Sequence, residues 1–160
     1  MSHDISSIPD VVDDEEVVDR LIYEPSFFSD GRLGPTAFAL VTTQQKETYI
    51  SVLRSKYYSF PDLKIPNPRI LGDSFCGKAS LLVSDVRSIK IPTLANKLFL
   101  DVLSRKSSRM PYHAGIISII EGVRINSENA HRIPSFLFVQ KKLSDMAHYE
   151  PINIAVSETV

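Results

Sequence analysis

The sequence predicts an α+β domain with a mixed or mostly antiparallel sheet of four to five strands and two helices packed on it. Three observations lead there. Runs rich in β-branched and aromatic residues recur at 17–23, 48–54, 79–89 and 112–121. Two apolar stripes at helical spacing lie at about 93–106 and 134–147. These elements do not follow the regular strand–helix alternation of a doubly wound parallel sheet, so an α+β arrangement is expected.

The first strand, 17–23, carries Val17, Val18, Leu21, Ile22 and Tyr23 and ends before Pro25. Asp30-Gly31 and Gly34-Pro35 mark turns after it, and Pro35 suits the first position of a short helical turn over 35–40. Residues 48–54 form the second strand. The stretch 57–68 holds Pro61, Pro66 and Pro68 among aromatic and basic residues and reads as a loop, a place where binding residues concentrate. Residues 79–89 read as a third strand, alternating apolar and polar in their later part.

A helix is expected next, from Thr93 as N-cap. Leu94, Leu98 and Val102 recur at i, i+4, i+8, and Pro111 bars continuation past Met110. The fourth strand, 112–121, is apolar on both parities, as for a strand covered on both faces. Pro134 opens a second helix whose stripe is Phe136, Val139, Leu143 and Met146. Residues 151–156 alternate again and read as a closing edge strand, since Pro151 is tolerated at its start.

The chain has 160 residues, 43 % apolar and 23 % charged, ordinary for one globular domain. Residues 1–19 hold Asp4, Asp10, Asp13, Asp14, Glu15, Glu16 and Asp19 and no Lys or Arg. All 18 basic residues therefore fall in the remainder, which is net basic. The expected organisation is a flexible acidic N-terminal arm, 1–14, before a single domain, 15–160. Such asymmetry suits a basic face that meets an anion, with the arm as shield or competitor. The lone Cys76 cannot form an internal disulfide, which fits a reducing compartment. No run is long and apolar enough to span a bilayer, and no signal-peptide pattern opens the chain. A cytoplasmic protein without a membrane partner is expected.

Strong chemical motifs are missing. Residues 72–79 match the phosphate-binding loop G-x-x-x-x-G-K-[ST] except that Ala79 stands at the hydroxyl position, and a strand, not a helix, is expected to follow. One cysteine and the scattered His3, His113, His131 and His148 give no metal-ligand spacing, so neither metal nor cofactor is expected.

Three weaker groupings remain. His113, Glu121 and His131 are titratable groups suited to acid–base work if they converge. His113 and Glu121 lie roughly 26 Å apart along an extended strand, which leaves the His113/His131 pair. Arg20 on the first strand, Ser51 on the second and Glu121 ending the fourth stand in the order Arg, Ser, Glu. In that order alone the chain is similar to the ADP-ribosyltransferase superfamily, which carries those residues on strands lining a nicotinamide pocket. The superfamily's Ser-Thr-Ser run is absent, and Ile119 stands where it has a second acid. The third grouping is the basic and aromatic loop 54–69, with Arg54, Lys56, Tyr57, Tyr58, Phe60, Lys64 and Arg69, joined by Arg105, Lys106 and Arg109. Cations meet phosphates or carboxylates while aromatics stack.

The expected function is a small binding module without catalysis of its own, contacting a protein or an anionic partner through loop 54–69. The alternative is an enzyme acting on a nucleotide or nucleic acid through His113/His131 or through Arg20, Ser51 and Glu121.

Overall fold

The computed structural model describes residues 7–22, 28–29, 32–40, 47–59 and 77–151. Its strands are β1 (Val17–Ile22), β2 (Phe28–Ser29), β3 (Arg32–Leu33), β4 (Ile50–Arg54), β5 (Gly77–Leu82), β6 (Leu98–Ser104), β7 (His113–Ile120), β8 (Val123–Arg124) and β9 (His148–Pro151). Its helices are α1 (Val83–Arg87) and α2 (Phe136–Met146). The fold is α+β. Seven strands form one antiparallel sheet in the order β6-β7-β4-β1-β5-β9, with β8 paired to the end of β7. The expectation of four to five strands undercounts this sheet. β2 and β3 make a separate ribbon.

Register decides what each face carries, because paired residues project to the same side. Val18, Ile22, Ile50, Val52, Ala79, Leu81, Val102, Ala114, Ile116 and Ile120 are buried together on one face. Val83 and Val86 of α1, Phe136, Val139 and Leu143 of α2, and Ala37 and Phe38 of the 3-10 turn Pro35–Phe38 cover them. The helix expected at 134–147 is therefore present, with its stripe inward as far as Leu143, while Met146 is exposed.

The helix expected at 93–106 is a correction. After the 3-10 turn Ala95–Lys97 that segment is β6, paired with β7 from Leu98↔Ile120 to Ser104↔Ala114. The spacing that suggested a helix is ambiguous, since a step of four residues is also an even step along a strand. Leu100 and Val102 face the core and Phe99 and Leu103 face out, a period of two. A β7 apolar on both faces needed a partner there, and pairing overrode the local pattern. The strand expected at 79–89 likewise stops at Leu82, where Val83 and Val86 turn inward at helical spacing in α1.

The acidic N-terminal segment packs against this layer from Ser7 onward; residues 1–6 lie outside the described residues. Ile8 and Val12 are buried, and Val12 joins the core. The carbonyls of Glu16 and Asp14 accept the Val83 and Ser84 N–H groups at 2.9 and 3.0 Å, satisfying donors that the first turn of α1 leaves free. Arg87 at the other end of α1 donates to Asp14 Oδ1, to the Val12 carbonyl, to Asp101 Oδ1 and to the Val102 carbonyl. A loose arm over 7–14 is thus replaced by a strap laid across the base of the sheet. Among the described residues no helix is long and apolar enough to cross a membrane.

Candidate functional site

The sheet face opposite the core carries the polar side chains. In register across it lie His113 on β7, Leu53 on β4, Asp19 on β1 and Ser80 on β5. The neighbouring row holds Gly115, which pairs with Ser51. These two rows bring Ser51 and His113 together: Ser51 Oγ and His113 Nε2 are 2.6 Å apart.

The His113 ring is held on a further side. It meets Tyr49 edge-on, with centroids 5.6 Å apart and planes at 64°. Beside it the Arg105 backbone is fixed, its N–H donating to the His113 carbonyl at 2.9 Å. Burial lowers the imidazole below its ordinary range; the Arg105 backbone opposes this, and the Arg105 charge adds to the lowering. A neutral ring results at neutral pH. The direction of the Ser51–His113 bond follows the ring tautomer: with the proton on Nδ1, Nε2 accepts from the Ser51 hydroxyl.

Tyr49 is placed by Gly115. A Cβ at that position would stand 2.6 Å from Tyr49 Cδ2, so only glycine lets the ring lie on the strand. The Arg105 guanidinium lies on the same ring, 4.2 Å from its centroid, a cation–π stack. Among the described residues no carboxylate pairs with Arg105. Tyr49, Ser104, Arg105, Lys106 and Asp10 line an open cleft of about 620 Å³. Lys106 Nζ donates to the Ile8 carbonyl and to Asp10 Oδ1, both at 2.9 Å. The cleft therefore has a guanidinium on an aromatic bed and an ammonium beside it; the Ser51–His113 pair abuts the same aromatic ring but does not line the cleft.

The other residues expected from sequence go elsewhere. His131 sits exposed on the 3-10 turn Ala130–Arg132, whose Ala130 packs against the core face, opposite the face that carries His113. Glu121, at φ 51°, and Gly122, at φ 81°, form the two-residue turn between β7 and β8, and Glu121 lines a separate hollow with Lys97, Phe99 and Ile119. Neither His113/His131 nor Arg20/Ser51/Glu121 converges. Arg20 donates to the Ala37, Ser51 and Ala39 carbonyls, clipping the 3-10 turn to the sheet on the core side.

In the loop that was expected to bind, Arg54 is fully buried. It donates to Glu16 Oε1 and Oε2 at 2.8 and 2.7 Å and to the Pro9 and Val11 carbonyls at 2.5 and 3.0 Å. Tyr58 donates to Asp19 Oδ2 at 2.5 Å, and Ser80 donates to the other Asp19 oxygen. Burial, followed by the Asp19 charge, pushes the Tyr58 hydroxyl far up from its ordinary value. Both side chains serve the fold. Lys56 is exposed, 5.2 Å from the Tyr57 ring centroid. Lys64, Arg69, Cys76, the greater part of the 72–79 run and residues 152–156 of the expected edge strand lie outside the described residues.

Sequence reasoning missed Tyr49 and placed Arg105 and Lys106 at a helix end. The available signal was Gly115 within an apolar strand, a mark of close approach by another group. No family model matches the chain, no curated protein matches its sequence, and no solved structure matches its fold.

Proposed function

We propose that the protein is a binding module that receives a carboxylate or phosphate group in the cleft between Tyr49 and Lys106. The observation that carries this reading is the Arg105 guanidinium, over the Tyr49 ring at 4.2 Å from its centroid and without a carboxylate partner among the described residues. A guanidinium presents planar paired donors suited to a two-oxygen anion, and the cation–π contact holds it at the cleft beforehand. Lys106 adds a second cation 2.9 Å from Asp10, whose 84 % exposed carboxylate lies on the cleft wall. In this reading Asp10 occupies one half of the anion site until a ligand displaces it.

Titration of the isotope-labelled chain with inorganic phosphate, followed by nuclear magnetic resonance, tests the reading. Saturable shifts are expected at Tyr49, Ser104, Arg105 and Lys106, lost in Arg105→Gln and reached at lower phosphate in Asp10→Asn. Shifts spread evenly over all exposed cations, or none at these four residues, would overturn it.

A further inference from the structure

We propose that Ser51 and His113 form a nucleophile–base pair that hydrolyses a carboxylic ester bearing an anionic group. Ser51 Oγ lies 2.6 Å from His113 Nε2, the separation that hydroxyl activation by a neighbouring base requires. The imidazole is confined by a neighbouring aromatic ring. Its edge rests against Tyr49, which Gly115 seats on the sheet. Ser51 stands opposite Gly115 in the β4–β7 register, so hydroxyl, aromatic ring and stacked guanidinium follow one another across the face. An anionic group held at Arg105 would bring a linked ester carbonyl toward Ser51. The choice of an anionic substrate rests on the cleft reading above; the Ser51–His113 chemistry does not.

The chemistry balances with water as the only co-reactant. Ser51 Oγ attacks the ester carbonyl carbon while its proton passes to His113 Nε2. The carbon–alkoxide bond breaks as the imidazolium returns that proton to the departing oxygen, which gives the alcohol and an acyl-Ser51. Water then attacks the acyl carbon, its proton moves to Nε2, and Ser51 Oγ leaves and recovers it, releasing the carboxylic acid.

The test uses the full chain with 4-nitrophenyl hemisuccinate, which carries a carboxylate, and with neutral 4-nitrophenyl acetate. Three readouts are taken: nitrophenolate release, intact mass, and peptide mapping of the acyl group. Acyl label at Ser51 is expected, with loss of turnover in Ser51→Ala and a drop of about 100-fold or more in His113→Gln. Arg105→Gln should raise KM for the hemisuccinate by a larger factor than for the acetate. Label found only on lysines, or release unchanged in Ser51→Ala, would overturn the proposal. Mapping on the unaltered chain decides it even where a variant fails to fold. Saturable phosphate shifts without Ser51 acylation would leave the cleft reading standing alone, and Ser51 acylation by the acetate without phosphate shifts would do the converse.

Discussion

Gly115 lies directly beneath the Tyr49 ring, so close that an added Cβ would come within 2.6 Å of Cδ2 and 2.7 Å of Cγ. That ring carries Arg105 and abuts His113, so one missing side chain sets the geometry of the whole cleft. Gly115→Ala is expected to cost about 1–3 kcal/mol through overpacking. The cost should shrink when Tyr49 is also replaced by Ala. Urea unfolding of the two single variants and the double variant measures this coupling, and strict additivity would contradict the contact.

Glu16 and Arg54 form a buried, two-pronged ion pair at 2.7 and 2.8 Å. Glu16→Ala would strand the guanidinium and should cost about 3–5 kcal/mol. Replacing both partners with apolar residues of similar volume should cost less than the single change. Thermal unfolding of the three variants compares them.

The same pair gives stability a dependence on acid. Burial alone would raise the Glu16 carboxyl, but the Arg54 hydrogen bond, the Asp13 N–H and the Arg54 charge together hold it below its ordinary value of 4.5. A carboxyl lowered in the folded state contributes stability that is complete above 4.5 and fades as pH falls below it. Unfolding free energy should therefore drop on acidification through that range, and Glu16→Gln should flatten the drop.

His113 acts in a higher window. Its imidazole is lowered below 6.5, mainly by burial, so protonation opposes folding. Its stability contribution is whole above 6.5 and diminishes as pH falls toward the lowered value. Proton resonance titration should place His113 below the ordinary imidazole value of 6.5. A normal titration for His113 would show that the ring is not confined as described.

Ser118, on the core face of β7, presents an Oγ with no hydrogen-bond partner among the described residues. A buried hydroxyl without a partner keeps its desolvation penalty. Ser118→Ala is expected to stabilise the protein by about 1 kcal/mol. Destabilisation in chemical unfolding would show that the hydroxyl has a partner.

Local pattern carried some of this fold and not the rest. β1, β4, β7 and α2 are legible because propensity and periodicity agree, as with Phe136, Val139 and Leu143 on α2. β6 was not, because Leu94, Leu98 and Val102 satisfy helical and extended spacing alike, and only the seven pairs with β7 decide between them. The site is less legible still. Ser51 and His113 were each singled out, but in separate groupings, since their contact spans 62 residues of sequence and depends on the pairing of Leu53 with His113. Arg54 looked like a contact residue because nothing nearby in sequence reveals a carboxylate 38 positions earlier.

Composition would set the edge of the folded unit at residue 15; Arg54 moves it back. A chain trimmed to begin at Glu15 keeps the Glu16 carboxylate but forfeits the Pro9 and Val11 carbonyls that a guanidinium sealed from solvent relies on. It also gives up Ile8 and Val12, and with Asp14 the acceptor of the Ser84 amide. Trimming for expression should therefore stop before Ser7, since the acidic leader is the underside of the sheet's own foundation.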